Sequence, residues 1–253
     1  MVKPNVYLFP QLNDNYGYFI KNPHAIEGVL VDPSDLDMCL KILDLNDAKA
    51  SHILLTHHHE DHIAAVDEIK KMFNSSVIGF SKDNKIPKPD IAVNEGDVIE
   101  VHGQNYEVIH TPGHTLQHIN YFMKNHNILF SGDTLFNAGC GRMFEGDPEM
   151  FWNSLMKIRT LPLDTKIYCG HEYTLSNINF ALSIDPSNQD LLKLSEWVKH
   201  QEKEHRPTIP TTLEQQITCN PFLRCDSEYF STYFDSKDPI EIFGKMRSAK
   251  DNF

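Results

Sequence analysis

The sequence has little of what a membrane-bound, exported or nucleic-acid-binding protein needs. The segment from Met1 to Pro10 lacks both a long apolar core and an amphipathic stretch rich in Arg and Ser, so no secretory or organelle signal is expected. No apolar run approaches the roughly 20 residues that cross a bilayer. Lys and Arg are also scarce, numbering 23 against 35 Asp and Glu, which gives a net charge of −12. We therefore expect a cytoplasmic protein with no membrane partner.

The acidic balance also argues against nucleic acid as the main partner, because phosphate binding needs a surplus of Lys and Arg. A small anionic substrate needs only a local cluster of positive charge. Cysteines are few and widely spaced, and no CxxC pair occurs among Cys39, Cys140, Cys169, Cys219 and Cys225. An odd number of cysteines in a chain of this length predicts reduced thiols rather than a disulfide framework.

The 253 residues are enough for a large domain with a smaller appendage. Short apolar strands alternate with loops and a few helices over the first two-thirds of the chain. The predicted strands cover 5–9, 16–20, 28–31, 52–55, 77–80, 97–101, 106–110, 119–123, 128–131 and 166–169, and the predicted helices cover 36–45, 63–73, 151–159, 177–183, 188–204 and 239–247. This pattern predicts an α/β domain over residues 1–173 and a mainly helical domain over residues 174–253.

A cluster of metal-binding residue types follows the strand predicted at 52–55. His57, His59, Asp61 and His62 lie within six residues, directly after the apolar segment. A turn from strand to helix can aim several imidazoles at one point, and imidazole with carboxylate suits Zn²⁺, Fe²⁺ or Mn²⁺. A polar loop that is rich in His by chance is the alternative interpretation of this segment alone.

Three later segments weaken that alternative. His114, Asp133 and His171 each follow an apolar strand, and each is preceded directly by a glycine. Loops at the ends of strands are where ligands of a sheet-edge site lie, and glycine allows a tight backbone path there. Together with the first cluster, the chain offers seven ligands of suitable chemistry, which predicts a metal site.

The pattern HxHxDH, followed by His, Asp and His in these contexts, resembles the metallo-β-lactamase superfamily, and more closely the hydroxyacylglutathione hydrolases (glyoxalase II). The supporting segments are Asp14-Asn15-Tyr16, Leu30-Val31-Asp32-Pro33, Gly132 to Phe136, Ala138 to Arg142, Tyr168 to Thr174, Asn220 to Arg224 and Met246 to Asp251. The resemblance implies an αββα sandwich with two metals at one edge, and a smaller helical C-terminal domain.

The resemblance also implies a ligand set and a reaction. His57, His59 and His114 would hold the first metal, Asp61, His62 and His171 the second, and Asp133 would bridge both. Zinc is the expected metal, with iron or manganese as alternatives. A hydroxide shared by two metals would attack a thioester carbonyl, and Asp61 would help to orient it. Asp32, at the end of a strand, is expected to orient a ligand imidazole.

The expected substrate is a glutathione thioester, chiefly S-D-lactoylglutathione, acted on by a monomeric enzyme. By resemblance, Arg142, Arg247 and Lys250 would meet the carboxylates of glutathione, whereas Phe144 and Tyr173 would line its peptide. Cations on an otherwise acidic protein can focus a positive field on an anionic tripeptide. An ordinary charged helix end is the alternative for Arg247 and Lys250.

Other members of the same superfamily are alternatives. A persulfide dioxygenase uses a related fold with one iron, but it lacks the longer C-terminal domain. A non-catalytic metal-binding protein is disfavoured by the complete ligand set, a β-lactamase by its usual export, and a nuclease by the acidic charge.

Overall fold

The structure is a computed structural model that describes residues 2–253. Its contacts divide the chain into two compact units. Unit 1 contains the described residues up to His110 together with Gln117–Gly132, and unit 2 contains Thr111–Leu116 and Asp133–Phe253. The division at residue 173 predicted from the sequence stays a prediction.

Unit 1 contains two sheets and three helices. Its strands are β1 (Asn5–Gln11), β2 (Asn15–Lys21), β3 (Glu27–Val31), β4 (Lys49–Leu54), β5 (Ser76–Phe80), β6 (Ile91–Val93), β7 (Val98–Val101), β8 (Gln104–His110), β9 (Ile119–Met123) and β10 (Ile128–Gly132). Its helices are α1 (Leu36–Leu45), α2 (Glu60–Ile63) and α3 (Val66–Phe73).

The first sheet of unit 1 has the order β1-β2-β3-β4-β5-β6, antiparallel at β1-β2-β3 and parallel from β3 to β6. The second has the antiparallel order β10-β9-β8-β7. Strands buried on both faces read as continuous apolar runs, and Ile53 and Leu54 at the end of β4 are fully buried. Because β4 ends in the buried core, the position of its last residue is fixed. The histidine cluster starts shortly after that residue.

Helices α1 and α3 cover the first sheet. Asp35 caps α1 by accepting a hydrogen bond from the Met38 N–H at 3.1 Å, which fixes its first residue. Leu43 of α1 and Ile69 of α3 are buried in one apolar cluster with Ile53 of β4. This core holds the strand that leads into the histidine cluster.

The single helix predicted over 63–73 is wrong at its start, because α2 and α3 are separated at Ala64 and Ala65. The Ala65 N–H donates to the carbonyl of Pro33 at 3.1 Å rather than continuing the ladder of α2. The break leaves a short helix, α2, that carries Asp61 and His62.

Unit 2 contains short strands and most of the helices. The strands are β11 (Leu135–Phe136), β12 (Gly139–Cys140), β13 (Lys166–Cys169) and β14 (Thr211–Thr212). The α-helices are α4 (Pro148–Arg159), α5 (Thr174–Ile184), α6 (Gln189–Lys203), α7 (Leu213–Cys219), α8 (Glu228–Tyr233) and α9 (Pro239–Asp251). A 3₁₀ turn spans Pro221–Leu223. Strands β11 and β12 form a hairpin, and β13 pairs with β14.

The core of unit 2 forms between helices. Ile178 of α5, Leu194 of α6 and Cys219 of α7 are buried in one cluster. Phe243 of α9 packs edge-on against Phe151 of α4, with ring centroids 5.5 Å apart. Helix α9 is thereby fixed against the rest of unit 2.

All five cysteines are free and buried, and the redox state of their thiols stays a prediction. Among residues 2–253, no helix combines the length and the apolar character needed to cross a bilayer.

Candidate metal centre

Four of the predicted ligands lie together in unit 1, between the end of β4 and the end of α2. His57 and His62 are each 1% exposed, whereas His59 and Asp61 are half-buried. The His57 Nε2 and His59 Nδ1 atoms are 3.1 Å apart. Two nitrogens on one tetrahedral zinc, with bonds of 2.0–2.1 Å, would be separated by about 3.3 Å. The spacing of these two imidazoles therefore fits a shared ion.

Asp32 fixes the orientation of two of these imidazoles. Its Oδ2 accepts hydrogen bonds from the Thr56 hydroxyl at 2.6 Å and from His62 Nδ1 at 2.9 Å. Since the Thr56 proton is used in this way, the Thr56 oxygen accepts from His57 Nδ1 at 3.0 Å. Both Nδ1 atoms therefore carry protons, and both Nε2 atoms keep the lone pair that a metal needs.

Asp32 itself can be grouped with His57 and His62 as a third potential ligand. Its carboxylate, however, already accepts from the Thr56 N–H, the Thr56 hydroxyl and His62. A carboxylate with these partners is suited to orienting the neighbouring imidazoles of His57 and His62.

Asn15 and His118 are two further unit 1 side chains at the cluster. The Asn15 amide donates to the Asp61 Oδ2 at 2.9 Å and to the Asp61 carbonyl at 3.0 Å, so it holds this carboxylate in place. The His118 ring stacks on His57, with centroids 4.8 Å apart. Asn15 belongs to the motif Asp14-Asn15-Tyr16, but its partner Asp61 is 46 residues away in the chain, so no local signal in the sequence indicates this contact.

The other three predicted ligands lie together in unit 2. His114, Asp133 and His171 are buried, with exposures of 3%, 5% and 4%. One carboxylate oxygen, Asp133 Oδ2, is 3.4 Å from His114 Nε2 and 3.3 Å from His171 Nε2. These separations are longer than charge-assisted hydrogen bonds, which are about 2.7–2.9 Å. They match the edges of a metal coordination shell, with the carboxylate oxygen shared between two imidazoles.

The tautomer of His114 follows from its second hydrogen bond. Its Nδ1 is 2.8 Å from the carbonyl oxygen of Arg142. A carbonyl only accepts, so Nδ1 carries the proton and Nε2 presents its lone pair beside Asp133. The donor set is therefore of the kind that divalent zinc, iron or manganese binds, and the residues fit the implied metals.

Two aromatic residues predicted to line the substrate lie against these ligands. The Tyr173 ring stacks on His171 at a centroid distance of 4.6 Å and an interplanar angle of 5°. The Phe144 ring meets His114 edge-on at 5.3 Å. Both rings are exposed, Phe144 at 62% and Tyr173 at 37%. They offer an apolar surface beside the ligands of unit 2.

The three predicted substrate cations differ in burial. Arg142 is exposed, Lys250 is half-buried, and Arg247 is only 3% exposed. Asp251 lies between the two arginines, 3.0 Å from Arg247 Nη2 and 3.9 Å from Arg142 Nε. Asp251 ends the C-terminal motif, and its position between two arginines has no signal in the sequence.

The side chain of Lys250 is half-buried and contacts both polar groups and aromatic rings. Its ammonium donates to the Ser176 carbonyl and hydroxyl at 3.1 Å each, and lies 5.4 Å from the centroids of Phe180 and Phe253. Burial, followed by repulsion from Arg247 and Arg142, lowers the pKa of Lys250 from 10.5 to about 8. The Lys250 ammonium therefore loses its proton at a pH only slightly above neutral.

The cysteines nearest in sequence to the candidate ligands are not nucleophiles. Burial raises the pKa of Cys140 to about 11, against a lowering contribution from Arg247. Burial also raises the pKa of Cys169 to about 12. Because the thiolate is the reactive form, both thiols are inert at neutral pH.

Two family models together cover most of the chain. A model described as the metallo-beta-lactamase superfamily matches residues 23–171. A model described as hydroxyacylglutathione hydrolase C-terminus matches residues 172–253.

Curated relatives match over almost the full length. The chain is 41% identical over 251 residues to the hydroxyacylglutathione hydrolase of Rhodopseudomonas palustris strain HaA2, covering 98% of each chain. It is 42% identical over 245 residues to the protein of that name in Rhodospirillum rubrum, covering 96% of each.

Solved structures show the same fold at lower identity. ETHE1 from Myxococcus xanthus aligns with a TM-score of 0.71 and 24% identity, over 96% of this chain and 90% of that one. With the family models, this likeness confirms the predicted α/β metallo-β-lactamase fold with a helical C-terminal region.

Proposed function

The chain belongs to the hydroxyacylglutathione hydrolase family of the metallo-β-lactamase superfamily, and from this membership we propose that it hydrolyses S-(2-hydroxyacyl)glutathione thioesters. The chief substrate would be S-D-lactoylglutathione, giving glutathione and D-lactate in the second step of methylglyoxal detoxification. The observation that carries the proposal is the similarity over 98% of the chain, which includes both matched regions. The match of residues 172–253 to the hydroxyacylglutathione hydrolase C-terminus favours thioester hydrolysis over persulfide dioxygenase activity.

We propose that two divalent ions are bound, with zinc favoured and iron or manganese as alternatives. His57, His59 and His114 would hold one, Asp61, His62 and His171 the other, and Asp133 both. Support comes from each unit separately, because His57 and His59 are spaced as co-ligands and Asp133 shares one oxygen between His114 and His171. When bound, two such ions supply a nucleophile from water at neutral pH and a Lewis acid for the carbonyl.

The protein's own groups would orient the reactants. Asp61, held by Asn15, would accept a hydrogen bond from the attacking water and so direct its lone pair toward the thioester carbonyl. Asp32 would keep His57 and His62 in the required tautomers. Thiolate is a good leaving group, so no side-chain nucleophile is needed, in agreement with the neutral Cys140 and Cys169.

The substrate contacts would come from exposed residues of unit 2. Arg142 and Lys250 would bind carboxylates of glutathione, because both side chains can be reached by solvent, and a pKa of about 8 leaves most of the Lys250 ammonium charged at pH 7. Phe144 and Tyr173 would pack against the peptide and the acyl group. Arg247 was predicted to share in carboxylate binding, but its burial leaves that role to be tested. We also propose that the protein is a cytoplasmic monomer that acts on a small molecule and not on nucleic acid.

The test is thioester cleavage by protein of known metal content. Loss of the thioester absorbance of S-D-lactoylglutathione and release of a free thiol are followed together, with His59→Ala as the control. We expect stoichiometric thiol release by the wild-type protein and at least about 100-fold slower release by the variant. Equal rates in the two proteins would contradict the proposal.

A further inference from the structure

The segment between α6 and β14 lies against two parts of unit 2 that carry candidate ligands. One part is the turn after β13, where His171 is followed directly by Glu172. The other is the hairpin of β11 and β12, which follows Asp133. We infer that Thr208, in this segment, is a positioning residue that links the turn to the hairpin and so fixes the spacing between His171 and Asp133. This role presupposes the metal centre proposed above.

Thr208 contacts the turn through Glu172. Its hydroxyl lies 2.8 Å from each carboxylate oxygen of Glu172, and its N–H donates to Oε2 at 3.0 Å. Because a carboxylate only accepts, the Thr208 hydroxyl proton is donated to Glu172. The Thr174 hydroxyl, 2.5 Å from the Thr208 oxygen, is therefore the donor in that pair. The Thr208 hydroxyl thus donates one hydrogen bond and accepts another, which an apolar side chain cannot do.

Thr208 contacts the hairpin through Asn137. The Asn137 Nδ2 donates to the Thr208 carbonyl at 3.2 Å. The Asn137 Oδ1 accepts from Gln216 Nε2 at 2.8 Å, so both ends of this amide are engaged and its orientation is fixed. Thr208 and Asn137 are only 2% and 1% exposed. Water cannot easily replace these contacts, so a broken one leaves a buried polar group unpaired.

The turn of the hairpin has a backbone conformation that needs support from outside the hairpin. Ala138, which follows Asn137, has a φ of 56°, in the left-handed region that costs energy for a residue with a Cβ atom. Such a conformation persists when the surrounding structure determines it. The Ala138 N–H donates to Gln216 Oε1 at 2.8 Å, and the Asn137 amide binds both Gln216 and Thr208. These contacts stabilise the turn.

The two parts that Thr208 links carry ligands that face each other. Asp133 Oδ2 lies 3.3 Å from His171 Nε2, and the Phe136 ring of the hairpin meets the His171 ring edge-on at 5.9 Å. Metal–ligand distances vary by only about 0.2 Å, so a small movement of the hairpin relative to the turn would weaken a shared bond. Loss of a group that orients a ligand costs roughly 10–100-fold in metal affinity or activity. Thr208 acts through Glu172 and Asn137, so we expect an effect at the lower end.

Three variants with matched side chains test this role. Thr208→Val removes the hydroxyl and keeps the shape, whereas Thr208→Ser keeps the hydroxyl. Thr165→Val is the control, because Thr165 is fully buried in unit 2 and its hydroxyl has no hydrogen-bond partner among the described residues. Two measurements use no substrate: hydrogen exchange of the Thr208 amide in metal-free protein, and the rate of Zn²⁺ loss from loaded protein to a chelating dye. Because kcat and KM for the glutathione thioester are measured separately, a lack of thioester cleavage would contradict only the proposed function.

We expect Thr208→Val to exchange the Thr208 amide faster, to lose Zn²⁺ roughly tenfold faster, and to have a lower kcat with little change in KM. Thr208→Ser and Thr165→Val should lose Zn²⁺ at the wild-type rate. If Thr208→Val does not fold, Glu172→Gln is used, since its amide nitrogen cannot accept from Thr208; the same faster Zn²⁺ loss is expected. Zn²⁺ loss at the wild-type rate in the variant used, or equally fast loss in either of the other two proteins, would overturn the inference.

Discussion

Titration of Lys250 should make kcat/KM depend on pH, and the surroundings of its ammonium determine the direction of the change. Burial of the ammonium, with Arg247 and Arg142 nearby, lowers its pKa to about 8, so it is the charged form that the fold disfavours. At pH 7 about nine-tenths of the free protein carries the ammonium, and at pH 9 about one-tenth does. If the ammonium binds a carboxylate of the substrate, kcat/KM falls by roughly tenfold between these pH values, because kcat/KM reports the free enzyme.

The control is Lys250→Arg, because a guanidinium stays charged over this range. Titration of the substrate's own amine and of other groups affects both proteins equally, so the ratio of their kcat/KM values isolates Lys250. Salt screens the repulsion from the two arginines and raises the pKa of Lys250, but burial is the larger cause and persists. Added salt should therefore shift the alkaline fall in kcat/KM only slightly to higher pH. An identical alkaline fall in the Lys250→Arg variant would refute the reasoning.

Three further predictions concern the ligands and the core. Asp133→Asn should bind less than the wild-type amount of metal and hydrolyse the thioester at least about 100-fold more slowly, since Asp133 Oδ2 faces two imidazoles; full metal content by elemental analysis would contradict this. Asp61→Asn should lower kcat at matched metal content, and an unchanged kcat would exclude a role in orienting water. Leu43→Ala, at a site 1% exposed, should lower the free energy of unfolding in urea by about 2–5 kcal/mol. Leu45→Ala, at a site 73% exposed in the same helix, should change it by less than about 0.5 kcal/mol, and equal losses would refute the assigned core.

Elements defined by local signals could be predicted from the sequence. Helix α1 begins and ends where expected, at Leu36 and Leu45, because Asp35 provides a cap and the apolar spacing is regular. Strand β13, Lys166–Cys169, is likewise as predicted. The sequence does not predict the strand β6 or the helices α7 and α8, because β6 has three residues and the two helices have seven and six, which is too short for a hydrophobic period to be seen.

Features that depend on distant partners could not be predicted. The break between α2 and α3 depends on the Pro33 carbonyl, which lies 32 residues before Ala65 in the chain. The hydrogen bonds from Asn15 to Asp61 and from Arg247 to the Cys140 carbonyl also join residues that are far apart in the sequence. A basic residue near a helix end is usually exposed, so the burial of Arg247 has no local signal. The ligand types, in contrast, are visible in the sequence because each follows a strand end.

Metal titration with thioester cleavage tests the central claim most directly. Metal-free protein is titrated with Zn²⁺ while bound metal and thiol release from S-D-lactoylglutathione are measured in the same samples. We expect two bound ions per chain, with hydrolysis rising to its maximum as the second ion binds. A chain that binds both ions and leaves the thioester intact would contradict it.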